Sequence, residues 1–239
     1  VNVNVVAPTP LVSRRPSRLF HTGIALALLV TALAGFAPTY FLKAYYHAPL
    51  LSPILHLHGV VFTAWLVLLL AQSALVASHR VDLHKRLGIA AAMLAVIMMP
   101  VGTMTAIDGA RRGVAVAGMT PLAFMVFPIG ALMMFAGFVG AALWYRRRPE
   151  IHRRLVLLGT VSIITPAIAR LPGIDHNPVK ALLLSTVFVM AAMIHDWKVR
   201  GRVHPIYIFG VLFIPLSGPI RAAIGQTVAW QSFAQLLVG

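Results

Sequence analysis

The sequence predicts an all-α protein, a polytopic bundle of about seven transmembrane helices built from repeated helical hairpins. Of its 239 residues, 59% are hydrophobic and only 10% are charged. A soluble domain carries roughly a quarter charged residues, so this chain lacks the polar surface to cover a core in water. Apolar runs near the length needed to cross the hydrocarbon, about 20 residues, recur along the chain. The basic residues gather between those runs.

The expected spans are residues 19–42, 51–78, 87–107, 121–145, 155–171, 179–195 and 205–224. Residues 1–18 form an N-terminal tail, residues 19–225 the transmembrane domain, and residues 226–239 a closing segment. Arg14, Arg15 and Arg18 before the first run, with Ala32-Leu33-Ala34 inside it, also fit a secretory signal with its cleavage site. The apolar stretch continues to Leu42, about a full span, which favours an uncleaved helix. In the closing segment Trp230, Phe233, Ala234 and Leu237 fall at i, i+3, i+4 and i+7. That spacing suits a short amphipathic helix at the membrane interface.

Orientation follows from Lys and Arg. One set of connecting segments, including Arg80, Lys85, Arg146–148, Arg153, Arg154 and Lys198, holds fourteen basic residues, and the opposite set holds six. The first set is expected in the cytoplasm of a bacterium, with the N-terminus inside, the C-terminus periplasmic, and the bundle in the inner membrane. The net charge of +15 then serves topology and anionic lipid headgroups at the cytoplasmic face, and nucleic acid is not an expected partner. With no cysteine, disulfides, thiolate metal sites and cysteine nucleophiles are excluded.

The second span carries a polar stripe. His58, Trp65, Gln72 and His79 recur every seven residues and so share one helix face. Polar groups at that depth face the bundle interior, so His58, Trp65 and Gln72 become candidate lining of a binding cavity. Asp108, Arg170, His176 and Arg221 are the candidate partners at the far end. The alternative is that the stripe only hydrogen-bonds neighbouring helices.

A repeat marks the basic turns. Asp82-Leu83-His84-Lys85-Arg86-Leu87 and Glu150-Ile151-His152-Arg153-Arg154-Leu155 share one pattern: acid, aliphatic, His, basic, Arg, Leu. Gly201-Arg202-Val203-His204-Pro205 keeps the basic residue and the His. One hairpin used three times would place His84, His152 and His204 at a single membrane depth. His195 and Asp196 would join them from the end of the sixth span, and Glu150 from its own turn. Neutral imidazoles with carboxylates suit a divalent transition metal such as Zn, Fe, Mn or Cu. The plain alternative is that the histidines touch lipid phosphates while the acids cap their helices.

On these residues the chain resembles a group of uncharacterised bacterial multi-pass membrane proteins. Their His-rich second helix is followed by a basic turn of the kind seen at His79-Arg80-Val81-Asp82-Leu83-His84-Lys85-Arg86-Leu87-Gly88. The resemblance covers most of the chain and implies no activity. A fainter similarity is to cytochrome b561-type proteins, in which paired histidines on neighbouring helices hold two b haems. Counting allows one such pair here, His84 and His152, because His47 and His176 read as loop residues.

No nucleotide-binding, serine-hydrolase or zincin motif occurs. The last span has no lysine for a retinal Schiff base, and ten methionines read as packing rather than copper transport. Three functions follow from the sequence: a metal-binding membrane oxidoreductase or hydrolase, a non-catalytic accessory subunit with a membrane protein partner, and a carrier with a single haem b.

Overall fold

The computed structural model describes residues 15–116 and 118–239, with side chains from residue 19 onward. The tail expected at residues 1–18 therefore lies almost wholly outside the described residues. Within them the chain is helical: α1 (Arg15–Phe36), a π-helical turn (Ala37–Phe41), α2 (Pro53–Ala77), α3 (Val81–Arg111), α4 (Pro121–Phe124), α5 (Val126–Trp144), α6 (Pro149–Ile168), α7 (Pro178–Arg200), α8 (Pro205–Gly225) and α9 (Val228–Val238). Seven stretches are long and apolar enough to cross a membrane, α4 and α5 together forming the fourth. Val96, Met133 and Leu212 each stand more than half exposed on the flanks of these helices. Lipid is the solvent that accommodates such a surface. The protein is an integral, multi-pass membrane protein.

Span boundaries differ from the sequence expectation in one instructive way. The DLHKRL and EIHRRL motifs lie inside the first turns of α3 and α6 rather than in the connections. Pro149 opens α6 at the position where its missing N–H costs nothing, and acids in the first turn favour the dipole. Gly201, at φ 68°, closes α7 in the left-handed conformation that glycine adopts without strain. The fourth span breaks at Met125, between α4 and α5. Pro128 accounts for this, since its ring would clash with the carbonyl of Phe124 in a continuous helix.

The core forms around α6, which packs against α1, α5, α7 and α8. Eleven of its twenty residues are buried, among them Arg154, Thr160 and Ser162. That position explains why this span is polar for a membrane helix: its neighbours are helices, which can satisfy polar groups, rather than lipid. Leu28, Met98, Phe135, Leu158, Val189 and Ile214 close the core around it, each at most 1% exposed.

The closing segment is the helix α9, docked on the bundle. Ala234 is fully buried against Ala106 and Met125. Trp230 donates from Nε1 to the Leu122 carbonyl at 2.8 Å, and Arg111 donates to the Val238 carbonyl at 2.9 Å.

Candidate functional site

The basic end of the bundle holds two polar groups that meet on α6. The first is ionic. Arg154 is 0% exposed and donates from Nε and Nη2 to Asp196 Oδ2 on α7, at 3.1 and 2.5 Å. Its Nη1 donates to Glu150 Oε2 at 2.9 Å, and the guanidinium lies 5.2 Å from the ring centre of Tyr207 on α8. Arg153 also donates to Glu150 Oε2, at 2.9 Å, and Arg200 pairs with the same carboxylate. A guanidinium matches carboxylate oxygens closely, so this network ties α6 to α7 through Oε2 of Glu150 and Oδ2 of Asp196.

Beside it, His195 stacks flat on Phe20 of α1, with ring centres 3.9 Å apart, and His21 approaches edge-on at 5.8 Å. Neither ring nitrogen of His195 has a hydrogen-bond partner. His204 does something different. Its Nδ1 accepts from the Ile206 N–H at 3.3 Å and caps α8. Partial burial, and then the charge of Arg154, hold the His204 imidazole below its ordinary pKa.

The single plane of metal-ligating histidines therefore finds no support. Among the described residues no three His, Asp or Glu side chains are grouped to hold a metal ion. Asp196 and Glu150 are occupied by guanidinium groups, His195 is stacked on Phe20, and His204 serves as a helix cap. The motif positions explain the separation. His84 and His152 are each the fourth residue of their helix, whereas His204 precedes its helix, in extended backbone.

What remains together is the second group, the pair His84 and His152. Their ring centres lie 6.4 Å apart with the planes at 84°. The Nδ1 of His152 is 2.8 Å from the Ala142 carbonyl, which places its proton there and leaves Nε2 with a lone pair. His84 bonds to the main chain of Gln72, while its buried Nδ1 has no partner. Each imidazole is thus anchored through one nitrogen to the preceding helix of its own hairpin and has the other nitrogen free. Carbonyl anchoring of the second nitrogen is how proteins orient metal-ligating histidines.

The polar stripe of α2 faces the interior as expected. Trp65 donates to Thr160 Oγ1 on α6 at 3.2 Å and meets Phe135 edge-on at 5.0 Å. Gln72, at 8% exposed, reaches the basic end with Oε1 unpaired. His58 stacks on Phe62 with ring centres 3.9 Å apart, and its Nδ1 is buried without a partner. His79 has left the helix at φ 64°. The expected partners are engaged elsewhere: Asp108 with Ser52 and Arg112, Arg221 with Phe127 and Ser217, and Arg170 over the Phe36 ring. The stripe is a packed seam with Trp65 closing its middle. The open cleft at this end lies beside it, between α1 and the connection from α6 to α7.

Sequence reasoning counted Arg154 only as one more basic residue in a turn. The available signal was its place four residues after an acid at the start of a span, where an arginine turns toward other helices. Phe20, His21 and Tyr207 carried no comparable signal. In comparison with known proteins, no family model, curated protein or solved structure matches the chain.

Proposed function

We propose that this protein is a membrane electron carrier of the b type, in which His84 and His152 would hold one haem at the basic end. The observation that carries this reading is the pair itself. Two imidazoles holding one metal between them would each bond to it at about 2.0–2.1 Å, and the two ring centres here lie 6.4 Å apart. A bare divalent ion at this place would need a third or fourth protein ligand, and the nearby carboxylates are held by arginines. A porphyrin supplies four equatorial nitrogens itself, so two imidazoles suffice. When bound, the iron supplies one-electron redox chemistry. The protein's part is to hold both rings by their carbonyl anchors.

The test is spectroscopic. The full chain, purified in mild detergent with haem supplied, is expected to show a Soret band and the split bands of a six-coordinate, low-spin reduced haem. His84→Ala and His152→Ala each abolish that spectrum, while His204→Ala and His195→Ala retain it. A colourless preparation that takes up no added haemin would overturn the proposal. We place the basic end in the cytoplasm of a bacterial inner membrane, where its arginines also meet anionic headgroups.

A further inference from the structure

At the end of the bundle away from the histidine pair lies a cleft of about 470 Å³. Its size falls within the range of small-molecule sites, roughly 300–1,000 Å³. Next to its lining residues Ala34 and Ala169 two helices touch: a Cβ placed on Gly35 of α1 would lie 2.1 Å from the Ala167 carbonyl oxygen of α6. Backbone against backbone, these helices fix the spacing of the walls. One wall carries Ala34 and Pro38, where α1 gives way to the π-helical turn, a local geometry frequent at functional sites. The other wall carries Arg170, with Asp175 and His176 at the mouth.

That second wall is strained. Asp175 and His176 are consecutive non-glycine residues at φ 53° and 57°. Such backbone is unfavourable for both and persists only where surrounding structure enforces it. The His176 N–H bonds to the Ala169 carbonyl at 3.0 Å, folding the connection back onto the end of α6.

Arg170 is the anchor. Its guanidinium lies 4.7 Å from the Phe36 ring centre, and Nη1 donates to the Pro166 carbonyl at 2.7 Å. Those two contacts hold the group and leave its Nε–Nη2 edge without a hydrogen-bond partner among the described residues, the side-on fork that receives a carboxylate in two parallel hydrogen bonds. The side chain makes no ion pair with a carboxylate among the described residues, and burial alone lowers its pKa. A part-buried cation without a counter-ion at the wall of an apolar cleft favours an anion beside it.

From this geometry we infer that the cleft binds a small organic carboxylate, whose anionic head meets Arg170 and whose apolar body lies against Ala34, Pro38 and Leu171. The site is independent of the histidine pair.

The probe is benzoate, titrated calorimetrically into the detergent-solubilised full chain, with benzamide as its neutral isostere. Saturable benzoate binding is expected, with no competition from benzamide. Arg170→Gln should weaken it roughly tenfold or more, the loss of one charge-assisted pair. Ala34→Leu, which fills the cleft without touching the guanidinium, should weaken it as well. If Arg170→Gln does not fold, Ala34→Leu alone decides. The inference fails if benzoate does not saturate, if benzamide binds equally, or if a folded variant keeps the wild-type affinity.

Discussion

Arg154 and Asp196 show what a single pair of residues decides in a membrane bundle. Both are essentially sealed from solvent, at 0% and 1% exposed, and each is the other's main counter-ion. Removing Arg154 leaves the buried Asp196 with only Arg200, at 3.8 Å, and breaking a buried pair costs about 3–5 kcal/mol. Arg154→Met should therefore destabilise the protein by that amount, read from unfolding in mixed micelles. Arg154→Met combined with Asp196→Leu should cost less than either substitution alone, because no orphaned charge remains at Asp196. A strictly additive double variant would show that the pair is not coupled. His84 and His152 are legible in the sequence as a repeated motif. Their partners are not: the acceptors are the main chain of Gln72 and the carbonyl of Ala142. Main-chain acceptors have no side-chain signature, so only the packed hairpin reveals them.

Among the elements, α6 is the one on which the others are assembled. Its hairpin with α5 repeats the hairpin of α2 with α3, and this repetition brings two first-turn histidines together. The third copy begins at Pro205 and lacks the acid, so its histidine becomes a cap. A displacement of four residues, from the fourth helical position to the cap, removes this side chain from the shared layer. The contact of α1 with α6 depends on Gly35 having no Cβ, since one there would collide with the Ala167 carbonyl. Gly35→Ala should force the helices apart and cost about 1–3 kcal/mol, the usual range for overpacking. Thermal unfolding in detergent measures it, and an unchanged midpoint would mean that α1 shifts freely. The glycine was unremarkable in sequence because a close approach depends on which helix faces it.

For the whole molecule, the asymmetry of basic residues supports our proposal that one end of the bundle is cytoplasmic. The absence of cysteine makes that testable without background. Arg147→Cys should react with a membrane-impermeant maleimide only after the bacterial membrane is breached. Val114→Cys, at the other end, should react in intact spheroplasts. The opposite pattern would invert the topology and move the histidine pair to the outer face.

The sequence by itself determined the solvent, the number of helices and the repeated motif. These are properties of local composition: apolar length sets a span, charge placement marks its ends, and a duplicated hairpin carries its own motif. It also determined that the polar face of α2 turns inward, since a seven-residue spacing holds on any helix. Tertiary structure alone decided which polar groups meet. Arginine fills the carboxylates that the sequence offered as ligands, because a guanidinium on α6 lies opposite Asp196 on α7. Two histidines out of the expected layer remain a pair, because only they share a position within the helix. The separation of those two rings, like the cleft beside Arg170, arises from how helices distant in sequence lean on one another, which composition does not encode.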